Sequence, residues 1–247
     1  MTTVTLGYAY SRDTVENNLD SSFSKNVDRQ NYRLGLTQVI TKDMLMEFTF
    51  ETITDEGFLN NPYRSVRFLD PGSPVGYSFE PEKYPNTRTS NAASVRAIHY
   101  LPWRASVSGE YRFFDDTWDI RAHNIEIGYT HPLWDRWMLE TKYRYYTQDK
   151  AEFYSDLFSG PNAQNFLARD KELSKYNSHT IGLGLSYDFI QDSWSYIDRG
   201  SINLLWEHIW FNYDDFRDIR DTSAAPGKEE LYDFDADVIT AFVSIWF

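Results

Sequence analysis

The sequence predicts an all-β chain folded as an antiparallel transmembrane β-barrel, with about ten strands visible in its 247 residues. Three observations carry that prediction. Ten segments alternate apolar and polar residues with a period of two, the mark of a strand whose faces meet different surroundings. Most are about ten residues long, the length a tilted strand needs to cross a bilayer and more than soluble sheets usually use. The connections between them alternate short and long, as turns on one rim and loops on the other would.

The segments are residues 2–11, 31–39, 44–53, 91–100, 104–113, 120–130, 137–147, 178–189, 202–213 and 237–247. Segment 137–147 separates its faces most fully, with Trp137, Leu139, Thr141, Tyr143 and Tyr145 against Met138, Glu140, Lys142, Arg144 and Tyr146. Segment 104–113 opposes Ala105, Val107, Gly109, Tyr111 and Phe113 to Arg104, Ser106, Ser108, Glu110 and Arg112. In 180–189, Ile181, Leu183, Leu185, Tyr187 and Phe189 oppose Thr180, Gly182, Gly184, Ser186 and Asp188. Segments 31–39 and 44–53 follow the same rule less cleanly, and His208 interrupts the apolar set of 202–213. The last segment carries Ile239, Ala241, Val243, Ile245 and Phe247 on one side. It resembles the closing strand of a bacterial outer-membrane barrel, which implies that Ile245 and Phe247 are an assembly signal.

Short connections are expected at 40–43, 101–103, 131–136 and 190–200, and long ones at 12–30, 54–90, 148–177 and 214–236, with 114–119 the brief exception. Ten strands beginning at the turn rim return Phe247 to that rim. Alternation does not say which face is inside, because a soluble barrel buries its apolar side and a membrane barrel turns it to lipid. Strand length, loop asymmetry and the gathering of Trp103, Trp134, Trp137, Trp194 and Trp246 near the turn rim favour lipid outside. A soluble β-barrel is the lesser alternative.

Composition sets bounds. Aromatic residues reach 17%, and no segment approaches the roughly 18 consecutive apolar residues of a spanning helix, so a membrane protein of this composition is a barrel. A net charge of −13 argues against a nucleic-acid partner. Cysteine is absent, which removes disulfides, thiol catalysis and thiolate metal sites. The opening MTTVTLGYAY begins directly in a strand pattern and lacks the regions of a secretory signal. Residues 1–247 are therefore expected to be a single barrel domain without its signal peptide and some amino-terminal strands, the whole having twelve strands or more.

Several blocks carry a further likeness: DEGFLNNPYRSVRF and EKYPNTRTSNA after the third segment, then YRYYTQDKAEFYSDLF, ARDKELS and NSHTIGLGLSYDF. They resemble the DUF3570 family of predicted outer-membrane proteins over roughly residues 31–247. The matching residues are Gly57, Phe58, Leu59, Pro62, Tyr63, Arg64, Pro85, Arg88, Tyr143, Arg144, Tyr145, Tyr146, Ala151, Phe153 and Tyr154. The resemblance implies a bacterial outer-membrane location, and with it a lipid and lipopolysaccharide setting and contact with the barrel assembly machinery. Family members are longer at the amino end, and the resemblance implies no activity.

If the polar faces point inward, Arg33, Arg96, Arg104, Arg112, Lys142 and Arg144 meet Glu47, Glu51, Glu110, Glu126, Glu140, Asp188 and Glu207 in the lumen. These charges nearly cancel. A ten-stranded interior is narrow, so one expectation is a cross-linked network that fills it, and the other is a narrow channel for small solutes that it lines. The loop from Gly57 to Arg88, with Pro62, Tyr63 and Pro85, is a candidate constriction. Its Arg64, Arg67 and Arg88 would attract anions or pair with Asp55, Glu56, Asp70 or Glu80. An occluded barrel would instead serve as a docking platform for another envelope protein, with an aromatic patch around Tyr63, Tyr77 and Phe79.

No enzyme is expected. Asn177, Ser178, His179 and His123 are the candidates for hydrolytic chemistry, but Ser178 and His179 are adjacent on a strand and point to opposite faces. His99, His131 and His208 suit an interface. The acidic run from Asp214 to Asp237 matches no calcium-loop spacing and reads as a solvated loop, so neither metal nor cofactor is expected.

Overall fold

The computed structural model describes residues 1–189 and 197–247. Its strands are β1 (Thr2–Asn17), β2 (Asp20–Thr41), β3 (Met44–Gly57), β4 (Ser65–Leu69), β5 (Tyr77–Pro81), β6 (Thr87–Tyr100), β7 (Ser106–Asp116), β8 (Arg121–Leu133), β9 (Trp137–Gln148), β10 (Tyr176–Phe189), β11 (Arg199–Arg217) and β12 (Leu231–Trp246). Ten of them form one antiparallel sheet in the order β1-β2-β3-β6-β7-β8-β9-β10-β11-β12, while β4 and β5 make a separate hairpin. Every sheet neighbour is also the next sheet strand in sequence, the meander of an up-and-down barrel wall. β1 and β12 are its edges and do not pair with each other among the described residues.

The register fixes the faces. Glu47, Arg96, Glu110, Glu126 and Arg144 stand opposite one another on successive strands. Arg33 faces Glu51, and Lys142 and Glu207 flank Gly182. The other face carries Leu34, Phe50, Val107, Ile127, Leu183 and Leu204. Two ion pairs mark the polar side as concave because each crosses an intervening strand: Arg112 of β7 reaches Glu51 of β3 at 3.3 Å, and Lys142 of β9 reaches Glu207 of β11 at 2.5 Å. Neighbouring strands lie about 4.8 Å apart, so such partners meet most readily where side chains converge. At β10 the bypass needs Gly182, since a Cβ there would lie 2.7 Å from Lys142 Cγ.

The apolar face is not buried. Val107 is 37% and Leu183 45% exposed, whereas a soluble sheet would pack these residues into its centre. An apolar convex face and a polar concave one make this the wall of a transmembrane barrel.

Several strands outrun their sequence signal. Residues 12–30, expected as a loop, are a β-hairpin, since β1 and β2 stay paired up to Asn17 and Asp20. Polar pairs hold it: Arg12 Nε donates to Asp28 at 2.6 Å and Tyr10 to the same carboxylate at 2.7 Å. Above the membrane both faces meet water, so the ladder continues without apolar alternation to announce it. Arg104 is the opposite case. It was expected in the lumen but lies exposed in the turn between β6 and β7 with φ 66°, off the wall. The tight Pro102-Trp103-Arg104 turn takes that residue out of the pleat.

The turns at 42–43, 101–105 and 134–136 share one rim, and the connections at 18–19, 58–86, 117–120, 149–175 and 218–230 share the other. Trp103, Trp134 and Trp137 stand exposed at the turn rim, and the Trp137 ring packs 4.6 Å from Tyr187. Trp246 is at that rim on the polar side, where Arg199 lies over its ring. Trp194 and most of the expected 190–200 turn lie outside the described residues. Ile245 pairs within β12 opposite Gly200, whereas Phe247 stands one residue past the strand.

Placing a charge on each face separates them. Leu183→Arg is expected to cost about 2–4 kcal/mol of folding free energy in lipid vesicles, and Glu140→Arg less than about 1 kcal/mol. Urea unfolding followed by tryptophan fluorescence measures both, and the reverse ranking would put the apolar face inside.

Candidate functional site

All the charged residues expected in the lumen except Arg104 lie on the concave face. Part of the charged network expected there forms as ion pairs. Lys142 pairs with Glu207, Arg112 with Glu51 and Asp188 with Arg199, whereas Arg33, Arg96 and Arg144 form no ion pair among the described residues. Most of these side chains keep contact with solvent. Open space runs between them: a cavity of about 230 Å³ is bounded by Arg33, Glu47, Arg96 and Glu110, and another of about 220 Å³ by Glu126, Glu140 and Lys142. A charge that keeps its water needs no partner. The wall is therefore lined by charges that are only partly cross-linked.

The obstruction sits at the loop rim. Tyr84, Trp118, Ile120, Ala151, Phe153, Tyr154, Ala168 and Leu173 form a buried apolar cluster, and Val66, Phe158 and Leu167 form a second. Nearly all of these come from the connections, so the chain's dry core is a cap on the barrel mouth. Tyr84 and Trp118 meet edge-on at 5.5 Å, and Trp118 and Phe153 do so at 5.2 Å. Burial pushes the Tyr84 hydroxyl well above the usual tyrosine range. The cap is fastened to the wall from inside, because Gln148, on the concave face of β9, donates to the carbonyls of Glu172 at 2.9 Å and Ser174 at 2.8 Å.

An ionic knot ties the long loops together. Arg67 is fully buried and bonds Glu229 and Asp156, with its Nη2 3.0 Å from Glu229 Oε2 and its Nε 3.0 Å from the Asp156 carbonyl. Arg169 Nη2 donates to Asp156 at 2.9 Å, and the Arg217 N–H reaches the same carboxylate at 3.2 Å. Burial alone would raise the Glu229 carboxyl, but the Arg67 hydrogen bonds and the Gly227 N–H outweigh it and hold it below its usual value.

The arginines of the expected constriction are neutralised. Arg64 pairs with Asp170, Arg67 with Asp156 and Glu229, and Arg88 with Asp116 at 2.5 Å while lying over the Trp118 ring. None of these carboxylates is among the partners expected from the sequence. Asp55 is taken by Arg29, Asp70 by Ser78, and Glu80 by the Asn162 N–H. The partners of Arg64 and Arg67 come from distant loops, and that of Arg88 from the neighbouring strand β7.

Ser178 is buried on the concave face, whereas His179 faces outward and meets the Tyr143 hydroxyl at 2.8 Å. In the acidic loop, Arg220 holds the Asp218 carboxyl down to about 2, and Asp221 caps the Ser223 N–H.

The profile of a family described as a protein of unknown function, DUF3570, matches residues 12–196. The chain belongs to the DUF3570 family. That match starts earlier than the expected residue 31 and stops before β11 and β12. No curated protein matches the sequence. Among solved structures, outer-membrane expressed OmpT of Vibrio cholerae aligns at 10% identity with a TM-score of 0.50, covering 96% of this chain and 65% of that one. In-vitro folded OmpT, an outer membrane protein of the same organism, aligns at 11% identity and a TM-score of 0.49, covering 96% and 64%. The chain thus spans about 65% of the length of the first of these proteins, and the likeness is one of barrel fold.

In this DUF3570 chain the loop motif residues build the cap, whereas Tyr143, Arg144, Tyr145 and Tyr146 belong to the β9 wall. Gly57 has φ 126°, and a Cβ there would lie 2.2 Å from the Asn26 carbonyl, so only glycine lets the loop leave β3 against β2. Phe58 packs edge-on against Phe23, Leu59 lies on the apolar cluster, and the Tyr63 hydroxyl accepts the Asn18 N–H at 2.7 Å. Ala151, Phe153 and Tyr154 are the cap's buried centre.

Arg67→Ala leaves two carboxylates without their buried partner and is expected to cost the cap about 3–5 kcal/mol, measured as loss of hydrogen-exchange protection at 149–175 and 218–230 with the strand ladder unchanged. A carboxyl held below its ordinary value stabilises above that value and loses its contribution as pH falls. Limited proteolysis should therefore find the Arg67–Glu229 tie secure at neutral pH and the cap loosened well below about pH 4.3.

Proposed function

We propose that this chain is a bacterial outer-membrane β-barrel acting as a narrow channel for small polar solutes, with its outer mouth restricted by the loop cap. The observation that supports this reading is the concave wall, where ionic side chains of both signs border open cavities and several, among them Arg33, Arg96 and Arg144, form no ion pair among the described residues. A pore too narrow for bulk water still passes small solutes when its wall replaces part of their hydration. In this reading residues 1–247 form one barrel domain whose partners are lipid, lipopolysaccharide and the assembly machinery. The outward Ile245 and the protruding Phe247 supply the assembly signal. No catalytic step enters it.

One observation favours a second reading, a docking platform. The β4–β5 hairpin projects from the cap with Phe79 more than half exposed beside Tyr77, and Leu69 and Val75 are exposed with it. Tyr63 also stands out from the surface, though its hydroxyl is tied to Asn18.

Planar-bilayer recording separates the two. A channel gives discrete conductance steps whose cation-to-anion preference shifts toward anions in Glu140→Gln and toward cations in Arg144→Gln. A bilayer that stays silent at high protein density fails the channel and favours the platform.

A further inference from the structure

Directly beneath the cap the concave face holds a cavity of about 360 Å³, within the range of pockets that enclose small organic ligands. Its lining changes character along the barrel axis. In the outermost row, where the cap rests, stand Phe114 and Ala122, with Ile120 beside them. One row deeper come Arg112 and Asn124, and one row below that Arg144, opposite Glu126. Successive rows on one face are two residues, about 7 Å, apart. The apolar row is thus one row, about 7 Å, from Arg112 and two rows from Arg144 along the wall.

The charges at the deep end are available. Arg144 forms no ion pair among the described residues, and Arg112 makes a single 3.3 Å contact with Glu51 that leaves most of its donors free. Arg88 also borders the cavity but is bound to Asp116, and Glu172, the one carboxylate of the lining, lies at the cap end. A guanidinium fork matches a carboxylate bidentately. Inside a partly enclosed site such a bond is worth far more than in open water.

We propose that this cavity is a binding site for a small monocarboxylate with a compact apolar body, its carboxylate held by Arg112 and Arg144 and its body against Phe114, Ile120 and Ala122. The assignment rests on the channel reading in that it names the solute class the wall selects.

The test is equilibrium dialysis of the full chain in detergent micelles with benzoate, benzyl alcohol and acetate as probes. Benzyl alcohol lacks the charge and acetate lacks the body. Benzoate should be retained at least about tenfold more tightly than either, and Arg144→Gln should weaken it about tenfold or more, the scale of one hydrogen bond to a charged group. Phe114→Ser should weaken benzoate while leaving acetate unchanged. Heat-modifiable migration on gels confirms that each variant is folded, and Arg144→Gln disturbs no packing. The proposal is overturned if benzyl alcohol binds as well as benzoate, or if folded Arg144→Gln retains benzoate like the parent. The two readings fail separately: conductance without benzoate retention sinks the site and leaves the channel, whereas benzoate retention in a silent bilayer leaves the site and sinks the channel.

Discussion

The structure depends on one constraint, that a strand inside hydrocarbon must satisfy every backbone N–H and C=O on its neighbours. Water is not there to do it. Between its two edge strands, β1 and β12, the ladder meets that demand by long, nearly unbroken antiparallel pairing, and the pairing then fixes the faces. Because side chains alternate, a slip of one residue would turn the whole apolar set inward. The register that feeds the hydrogen bonds is thus also the register that puts Glu47, Arg96, Glu110, Glu126 and Arg144 in one row.

Apolar packing and solvent-facing charge are consequently housed in different parts of the chain. The wall contributes its ladder and its contact with lipid, and leaves its ionic groups hydrated. Packing of the kind found in soluble proteins is confined to the cap, where the Tyr84, Trp118 and Phe153 rings meet and Arg67 is sealed against two carboxylates. Gln148 joins the two systems, since its amide spans from the inner wall to the carbonyls of the 171–174 turn. Its neighbourhood is where apolar cap-end residues and the guanidinium groups of Arg112 and Arg144 border one cavity.

The faces of the strands were legible in the sequence, because a period of two needs no tertiary information. Their outer ends were not. Arg12, Asp28 and Tyr10 pair as well in water as apolar residues do in lipid, so the first hairpin carries no periodic signal above the membrane. Arg104 was misplaced for a related reason: a left-handed residue in a tight turn keeps the right parity in the sequence while leaving the wall in space. Most of the charged residues of the inner face could be named in advance, but the state of their charges could not, since pairing depends on side-chain reach across a curved sheet. The cap was the least accessible. Asp156, Asp170 and Glu229 are ordinary acidic loop residues until the fold brings them to Arg67 and Arg64.

The tie between Arg67 and Glu229 joins residues 162 positions apart, and that separation imposes an order of events. Closing so long a span carries a large entropic cost until the intervening hairpins have shortened the path between its ends. The lid is therefore expected to lock only after the strands lying between the two residues have paired, so that the mouth closes late in folding.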